Sequence, residues 1–281
     1  MPELPEVETT RRGLEPFVRG RFLCGANVYQ PQLRYPVPAD LHERVAGRCV
    51  IALRRRGKYL IFELSDAAWV TVHLGMSGSL RLLDPACPPA RHDHIDLLIG
   101  QGAVEAPAVQ PVWRVLRLHD PRRFGSLLAG EGVAEEHRLL RELGVEPLSE
   151  AFTGDYLYRC ARARRISVKA LLMDARVVVG IGNIYANEAL YRAGIRPDRS
   201  ASRISAARYR RLVAAVRSVL EAALAVGGTT LRDFIDSSGR RGYFTPQLAV
   251  YGGGTCPACG RALTAVRIAQ RSTWFCRACQ R

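Results

Sequence analysis

The sequence predicts an α+β chain: an antiparallel sandwich or barrel first, a helical domain second, and a metal-binding hairpin at the end. Three observations carry this. Short period-two runs fill residues 50–118, the period turns helical from about Gly132, and two Cys-x2-Cys pairs close the chain. A length of 281 residues suits two domains, each large enough to bury a core.

Taken in order, the elements follow from residue type. Pro2, Glu3, Pro5, Glu6 and Glu8 suit a helix start, because proline is tolerated in the first turn and carboxylates favour the positive end of the helix dipole; Gly13 marks its expected end. The runs 50–53, 59–64, 69–74, 79–83, 94–99 and 113–118 lie between Gly, Pro or Asp breaks, the spacing of an antiparallel sheet. Between Gly100 and Pro111 the chain is rich in Ala, Pro and Gly and reads as an exposed, inserted loop. Gly144 to Leu148 interrupts the pattern, which places a hinge at residues 136–150, between a domain at 1–135 and another at 151–245. Helices are expected at 166–173, 182–193 and 205–226. In the last, Tyr209, Leu212, Val213, Val216, Leu220 and Leu224 share one face, and Gly227-Gly228 stops it. Residues 236–242 have almost nothing to bury and read as mobile without a ligand. Residues 246–281 hold the metal hairpin.

The net charge of +15 points to a polyanionic partner, since cations that neutralise phosphates release counterions. No run reaches the apolar length of a membrane span, and the acidic start is unlike a secretion signal, so a cytoplasmic protein is expected. Of the eight cysteines, Cys24, Cys49, Cys87 and Cys160 stand singly and read as small buried hydrophobes. Cys256, Cys259, Cys276 and Cys279 form two knuckles separated by sixteen residues. Four thiolates so spaced close a tetrahedral site with no open position, so one structural Zn²⁺ is expected.

Two further features carry chemistry. Removal of Met1 would expose Pro2 as a terminal secondary amine, which titrates about two to three units below a lysine and keeps a neutral fraction able to attack a sugar carbon. Lys58 and Lys169 are the only lysines among 41 basic residues, so both sites call for a compact, deprotonatable ammonium that guanidinium cannot replace. HLGMSG at 73–78 and DPRRFG at 120–125 place Met76, Arg122 and Phe124 in turns at strand ends, where such side chains can wedge into a base stack. The glycine turn before Asn183 opens a helix whose first amides suit an anion.

PELPEVETTRRGLEP at the start, RRRGKY at 54–59, HLGMSG, RHDH at 91–94, DPRRFG, VVGIGNIYANE at 178–188 and the cysteine pairs together resemble the bacterial formamidopyrimidine-DNA glycosylases over nearly the whole chain. The resemblance implies an N-terminal antiparallel β-sandwich flanked by helices, a C-terminal helix-two-turn-helix domain and a four-cysteine zinc-finger hairpin. It implies that Pro2 is the nucleophile, that Glu3 exchanges protons with the opened sugar, and that Lys58, Glu6 and Arg271 complete the catalytic set. Met76, Arg122 and Phe124 would fill the void in the duplex, while His92, Arg164, Lys169 and Asn183 contact DNA and residues 231–245 close over the base. Arg91 departs from the family's lysine.

By the same resemblance the partner is damaged double-stranded DNA, with the protein a monomer associated with the bacterial nucleoid. The implied reaction excises 8-oxoguanine and formamidopyrimidines through a Schiff base and cuts the strand by β,δ-elimination. Two alternatives stand beside it: an endonuclease VIII-type enzyme for oxidised pyrimidines, and a non-catalytic DNA-binding zinc protein.

Overall fold

The computed structural model describes residues 2–100, 111–227 and 248–281. The loop expected after Gly100, the segment 236–242, the closing segment 231–245 and the processing of Met1 therefore lie outside the described residues. The chain is α+β and divides into two compact units, one built on residues up to Arg141 and one on Glu142–Val226 with the C-terminal residues.

The first unit contains α1 (Leu4–Val18), β1 (Phe22–Val28), α2 (Leu41–Val45), β2 (Arg48–Arg56), β3 (Tyr59–Leu64), β4 (Ala68–His73), β5 (Ser79–Leu83), β6 (Asp93–Gly100), β7 (Val112–His119) and β8 (Ser126–Glu131). All these strand pairings are antiparallel, in the order β5-β7-β6-β1-β2-β3-β4-β8. The β1–β2 link is the narrowest, formed over Phe22↔Cys49 and Leu23↔Arg48 alone. The strands on either side of it, four each, bury their faces in one shared core with Val7, Leu14 and Val18 of α1. The result is the two-layered sandwich, flanked by helices, that alternation predicts.

The end of the first helix and two strands absent from the expected runs, β1 and β8, differ from expectation for packing reasons. The first helix runs through Gly13 to Val18, because Leu4, Val7, Leu14 and Val18 are all buried and that burial outweighs the roughly 1 kcal/mol a helical glycine costs. Strand β1, Phe-Leu-Cys-Gly-Ala-Asn-Val, lacks a clean alternation because its pairing slips between Leu23 and Gly25. Strand β8 is hidden by its short, glycine-containing sequence and forms by pairing with β4 from Ala68↔Glu131 to His73↔Ser126.

Within the sandwich, β6 and β7 share a buried ion pair. Arg117, 2% exposed, donates to both carboxylate oxygens of Asp96 at 2.7 and 2.8 Å and to the carbonyls of Pro88 and Cys87 at 2.9 and 3.1 Å. Tyr29 donates its hydroxyl to the same Asp96 at 2.8 Å.

Past Gly132 the expected helical period yields only the 3-10 turn Ala134–Glu136 among the described residues before α3 (Gly154–Arg162), which the sequence reading missed. With α3 the second unit is under way. Then come α4 (Val168–Leu172), α5 (Asn183–Arg192), α6 (Ala206–Ala225), β9 (Thr264–Ile268) and β10 (Arg271–Phe275). Ser167 and Ser205 cap α4 and α6 by accepting from the Ala170 and Arg208 main-chain N–H groups. Leu171, Tyr185, Leu190, Leu212, Val216 and Leu220 meet in a separate core. No described helix is long and apolar enough to cross a membrane.

Removing the buried cation should be costly. Arg117→Met strands the Asp96 carboxylate and is expected to lower stability by about 3–5 kcal/mol, whereas Arg12→Ala, which breaks an exposed pair, should change it by less than about 1 kcal/mol. Urea unfolding midpoints measure both.

Candidate active site and nucleic-acid interface

In the first unit, the start of the chain is located by how α1 lies on β2. Glu8 accepts from Arg55 Nε at 3.1 Å, Arg11 donates to the Leu53 carbonyl at 3.3 Å, and Gly20 N–H reaches the Val50 carbonyl at 2.8 Å. The numbers run in opposite directions, so the amino end of α1 lies toward the Arg56 end of β2. There Gly57, at φ 56°, opens a two-residue hairpin turn whose second residue is Lys58. Glu3 and Glu6 form a capping box: the Glu6 carboxylate accepts the Glu3 N–H at 2.8 Å. Both residues are nearly inaccessible, at 1% and 3% exposure, and Pro2 precedes them half-buried.

His73, at the end of β4, pairs across the sheet with Tyr59, one residue beyond Lys58. Its Nδ1 accepts the Gly75 N–H at 2.9 Å, so the ring proton sits on Nε2. Burial, with the Lys58 and Arg34 cations, pushes the imidazole down to about 3. His73 was missed from sequence because a histidine opening a turn carries no mark of its surroundings.

The turns that hold Met76, Arg122 and Phe124 occupy the same end of the sandwich, since β4 runs into 73–78 and β7 runs through 120–125 into β8. Phe124 is 43% exposed, so it does not pack beneath its own turn, and the Arg122 guanidinium lies 4.9 Å over its ring. Met76 is half-buried. His92 takes a left-handed φ of 75° and meets His119 ring to ring at 6.1 Å.

In the second unit, α5 organises the site. Lys169 is fully buried; its Nζ donates to Asn183 Oδ1 at 2.6 Å, to Thr273 Oγ1 at 2.6 Å and to the Ser272 carbonyl at 3.3 Å. Asn183 in turn donates to the Ser272 carbonyl at 3.1 Å. The structure thus brings Lys169 and Asn183 together and ties both to β10, where Arg271 follows a turn with φ 48° and 60° at Ala269 and Gln270. Further along α5, Asn187 accepts the Trp274 N–H at 3.1 Å, and Glu188 accepts the N–H groups of Ala249, Val250 and Tyr251 at 2.8 to 2.9 Å. Asn187 and Glu188 were legible only as part of a motif, not as docking groups. Arg164 pairs with Asp174 at 3.0 Å and borders a cavity of about 380 Å³ shared with Arg165, Ile166 and Arg176.

The four cysteine sulfurs lie within 4.8 Å of one another. Cys256 and Cys279 are 3.8 Å apart and Cys259 and Cys276 3.5 Å. A tetrahedron of Zn–S bonds about 2.3 Å long has edges of about 3.8 Å, so the set fits one structural Zn²⁺. Tyr191 of α5 places its hydroxyl 3.3 Å from Cys256 Sγ, and Gln280 bridges the Cys276 N–H and the Ile195 carbonyl.

An antiparallel sandwich, a helical unit with a glycine turn opening α5, and a four-cysteine hairpin define a zinc-finger protein of the helix-two-turn-helix class. Family models match on the same divisions: the formamidopyrimidine-DNA glycosylase N-terminal domain over residues 1–127, its H2TH domain over 143–235, and the zinc finger found in FPG and IleRS over 253–281. The chain belongs to the formamidopyrimidine-DNA glycosylase family. Its relatives include the formamidopyrimidine-DNA glycosylases of Halorhodospira halophila, 61% identical, and Alkalilimnicola ehrlichii, 54% identical, each over the whole of both chains. Among solved structures, the MutM (Fpg) protein of Thermus thermophilus superposes with a TM-score of 0.85 at 39% identity, covering 99% of this chain and 98% of that one. Lactococcus lactis Fpg bound to DNA containing an N7-benzyl-Fapy-dG superposes at 0.87 with 30% identity over all of both chains.

Two measurements test this description. The unfolded His73 protonates near 6.5 while the folded one stays neutral to about 3, so its contribution is intact above pH 6.5 and lost as pH falls toward 3, by about 1.4 kcal/mol per unit. Wild-type stability should therefore fall more steeply than that of His73→Phe between about pH 6 and 4. Chelation should strip one zinc per chain and abolish hydrogen-exchange protection across β9 and β10, with the sandwich strands still protected.

Proposed function

We propose that this chain is a bifunctional DNA glycosylase and abasic-site lyase that removes oxidised purines, 8-oxoguanine and formamidopyrimidines, from duplex DNA. The observation that carries the reading is the register of α1 on β2, which sets Pro2, Glu3 and Glu6 at the same end of the sandwich as Lys58 and the turns bearing Met76, Arg122 and Phe124. With Met1 removed, the Pro2 nitrogen attacks C1′ of the damaged nucleotide, Glu3 passes a proton to the opening sugar, and the base leaves. The resulting iminium acidifies C2′–H. Loss of that proton expels the 3′ phosphate, and a second elimination expels the 5′ phosphate. Glu6, bonded to the Glu3 N–H, holds the chain start, and Lys58 serves as proton carrier in the eliminations.

The second unit supplies phosphate contacts that position DNA without reading sequence. Asn183, Arg164 and Arg271 offer these directly. Lys169, buried against Asn183 and β10, acts through the groups it orients. His92 adds a contact from the first unit. The likeness to Lactococcus lactis Fpg in complex with abasic-site DNA, at 30% identity and a TM-score of 0.87, supports damaged DNA as the partner. The motif resemblance carries the rest of the reading, a monomer working on the nucleoid in the cytoplasm.

Borohydride reduction during reaction with 8-oxoguanine DNA should give a covalent protein–DNA adduct. Pro2→Gly should lower excision by about a hundredfold or more. No adduct with active wild-type protein, or peptide mapping of the adduct to a residue other than Pro2, would refute the mechanism.

A further inference from the structure

We propose that Asp120 is a positioning residue that sets the three DNA-facing turns of the first unit as a single piece; the proposal rests on the reading of that end as the glycosylase site. The turns are residues 73–78 with Met76, 91–94 with His92, and 120–125 with Arg122 and Phe124. Asp120 is fully buried at their junction. Its Oδ1 accepts from Ser77 Oγ at 2.7 Å and from the Arg122 N–H at 3.3 Å, while Oδ2 accepts from the Gly125 N–H at 2.7 Å. Its main chain holds the third turn: Asp120 N–H donates to the His92 carbonyl at 3.0 Å, and His94 Nε2 donates to the Asp120 carbonyl at 2.7 Å.

An aspartate that opens a turn commonly accepts from the N–H two residues on, and that bond alone would be local turn chemistry. The Ser77 bond is different in kind. It reaches 43 residues back to another connection, so one carboxylate cross-links the interiors of two turns whose ends are already joined by the pairs His73↔Ser126 and Ser79↔His119. The backbones there already touch: a Cβ on Gly75 would lie 2.4 Å from the Phe124 carbonyl carbon and the Gly125 nitrogen. A shift of one turn must move the other.

The consequence concerns the wedges. Arg122 and Phe124 project outward and gain little fixation from the core, so their aim depends on the turn beneath them. Filling a vacated base stack requires Met76, Arg122 and Phe124 to enter together, and misplacement by about 1 Å costs about a hundredfold in comparable positioning problems. Asp120→Asn keeps the volume but offers one acceptor oxygen. It can satisfy Gly125 N–H, or Ser77 and Arg122, but not all three donors.

The test uses duplexes carrying 2-aminopurine opposite 8-oxoguanine, whose fluorescence rises as the orphaned base loses its stack. Single-turnover excision and cleavage at a preformed abasic site are followed in parallel. For Asp120→Asn, and for Ser77→Ala, which cuts the same bond from a half-buried position, the fluorescence step should slow about tenfold. The ratio of excision to abasic-site cleavage should fall by a similar factor, because an abasic nucleotide has no base to extrude. Wild-type fluorescence kinetics in both variants, or excision and abasic cleavage falling in parallel, would overturn the assignment. Absence of a borohydride adduct from wild-type protein would instead refute the Pro2 mechanism, and the fluorescence step would still decide the role of Asp120.

Discussion

The Glu8 carboxylate, shared among Arg11, Arg12 and Arg55, decides where the chain begins in space. Although burial pulls the other way, hydrogen bonds from Arg11 and Arg12 and the nearby Arg55 hold the carboxyl below its ordinary range. Arg11 and Arg12 lie on α1 itself, so the bond that crosses to β2 is the one from Arg55; a charge-assisted bond to a half-buried group contributes about 1.5–3 kcal/mol, enough to fix the sliding position of one helix on one strand. A shift of α1 by one turn would carry Pro2 about 5.4 Å along its axis. The terminal residues and the Gly57–Lys58 turn share an end of the sandwich because that slide is forbidden.

The second unit solves a related problem with different chemistry. A five-residue strand pair that buries one apolar side chain, Phe275, cannot dock by burial alone, and β9–β10 is held instead through polar groups on α4, α5 and the C-terminal knuckle. Lys169 and Asn183 grip Ser272 and Thr273, Asn187 grips Trp274, and Glu188 gathers three N–H groups of residues 249–251. Every one of these donors and acceptors is paired, which is the condition under which buried polar groups specify a geometry rather than weaken it. A lysine suits the centre of this arrangement because its three ammonium donors diverge, whereas the planar guanidinium of arginine could not serve Asn183, Thr273 and Ser272 at once.

Legibility followed physical range. The edges of β3 and β5 were readable to the residue because alternation and turn residues act within a few positions of each other. The end of α1 and the existence of β1 were not, since Gly13 and Gly25 carry local signals that packing overrode. The motif residues Met76, Arg122, Phe124, Asn183 and Lys169 were recognisable, but the burial of Lys169 was not: nothing near it in sequence announces Thr273, which lies 104 residues away. His73 and Asp120 went unread for the same reason.

What the sequence determined by itself is the kind of chemistry available: a proline and two glutamates within the first six residues, two lysines kept among arginines, four thiolates at metal spacing, and enough positive charge for a polyanion. Those properties belong to residue types and short spacings, which folding does not alter. Tertiary structure alone decided which groups act together. The slide of α1 on β2, the seating of β10 on α5 and the clasp of two distant turns by one carboxylate all arise from contacts between residues far apart in the chain, whose partners are chosen by packing and by the need to satisfy every buried polar group.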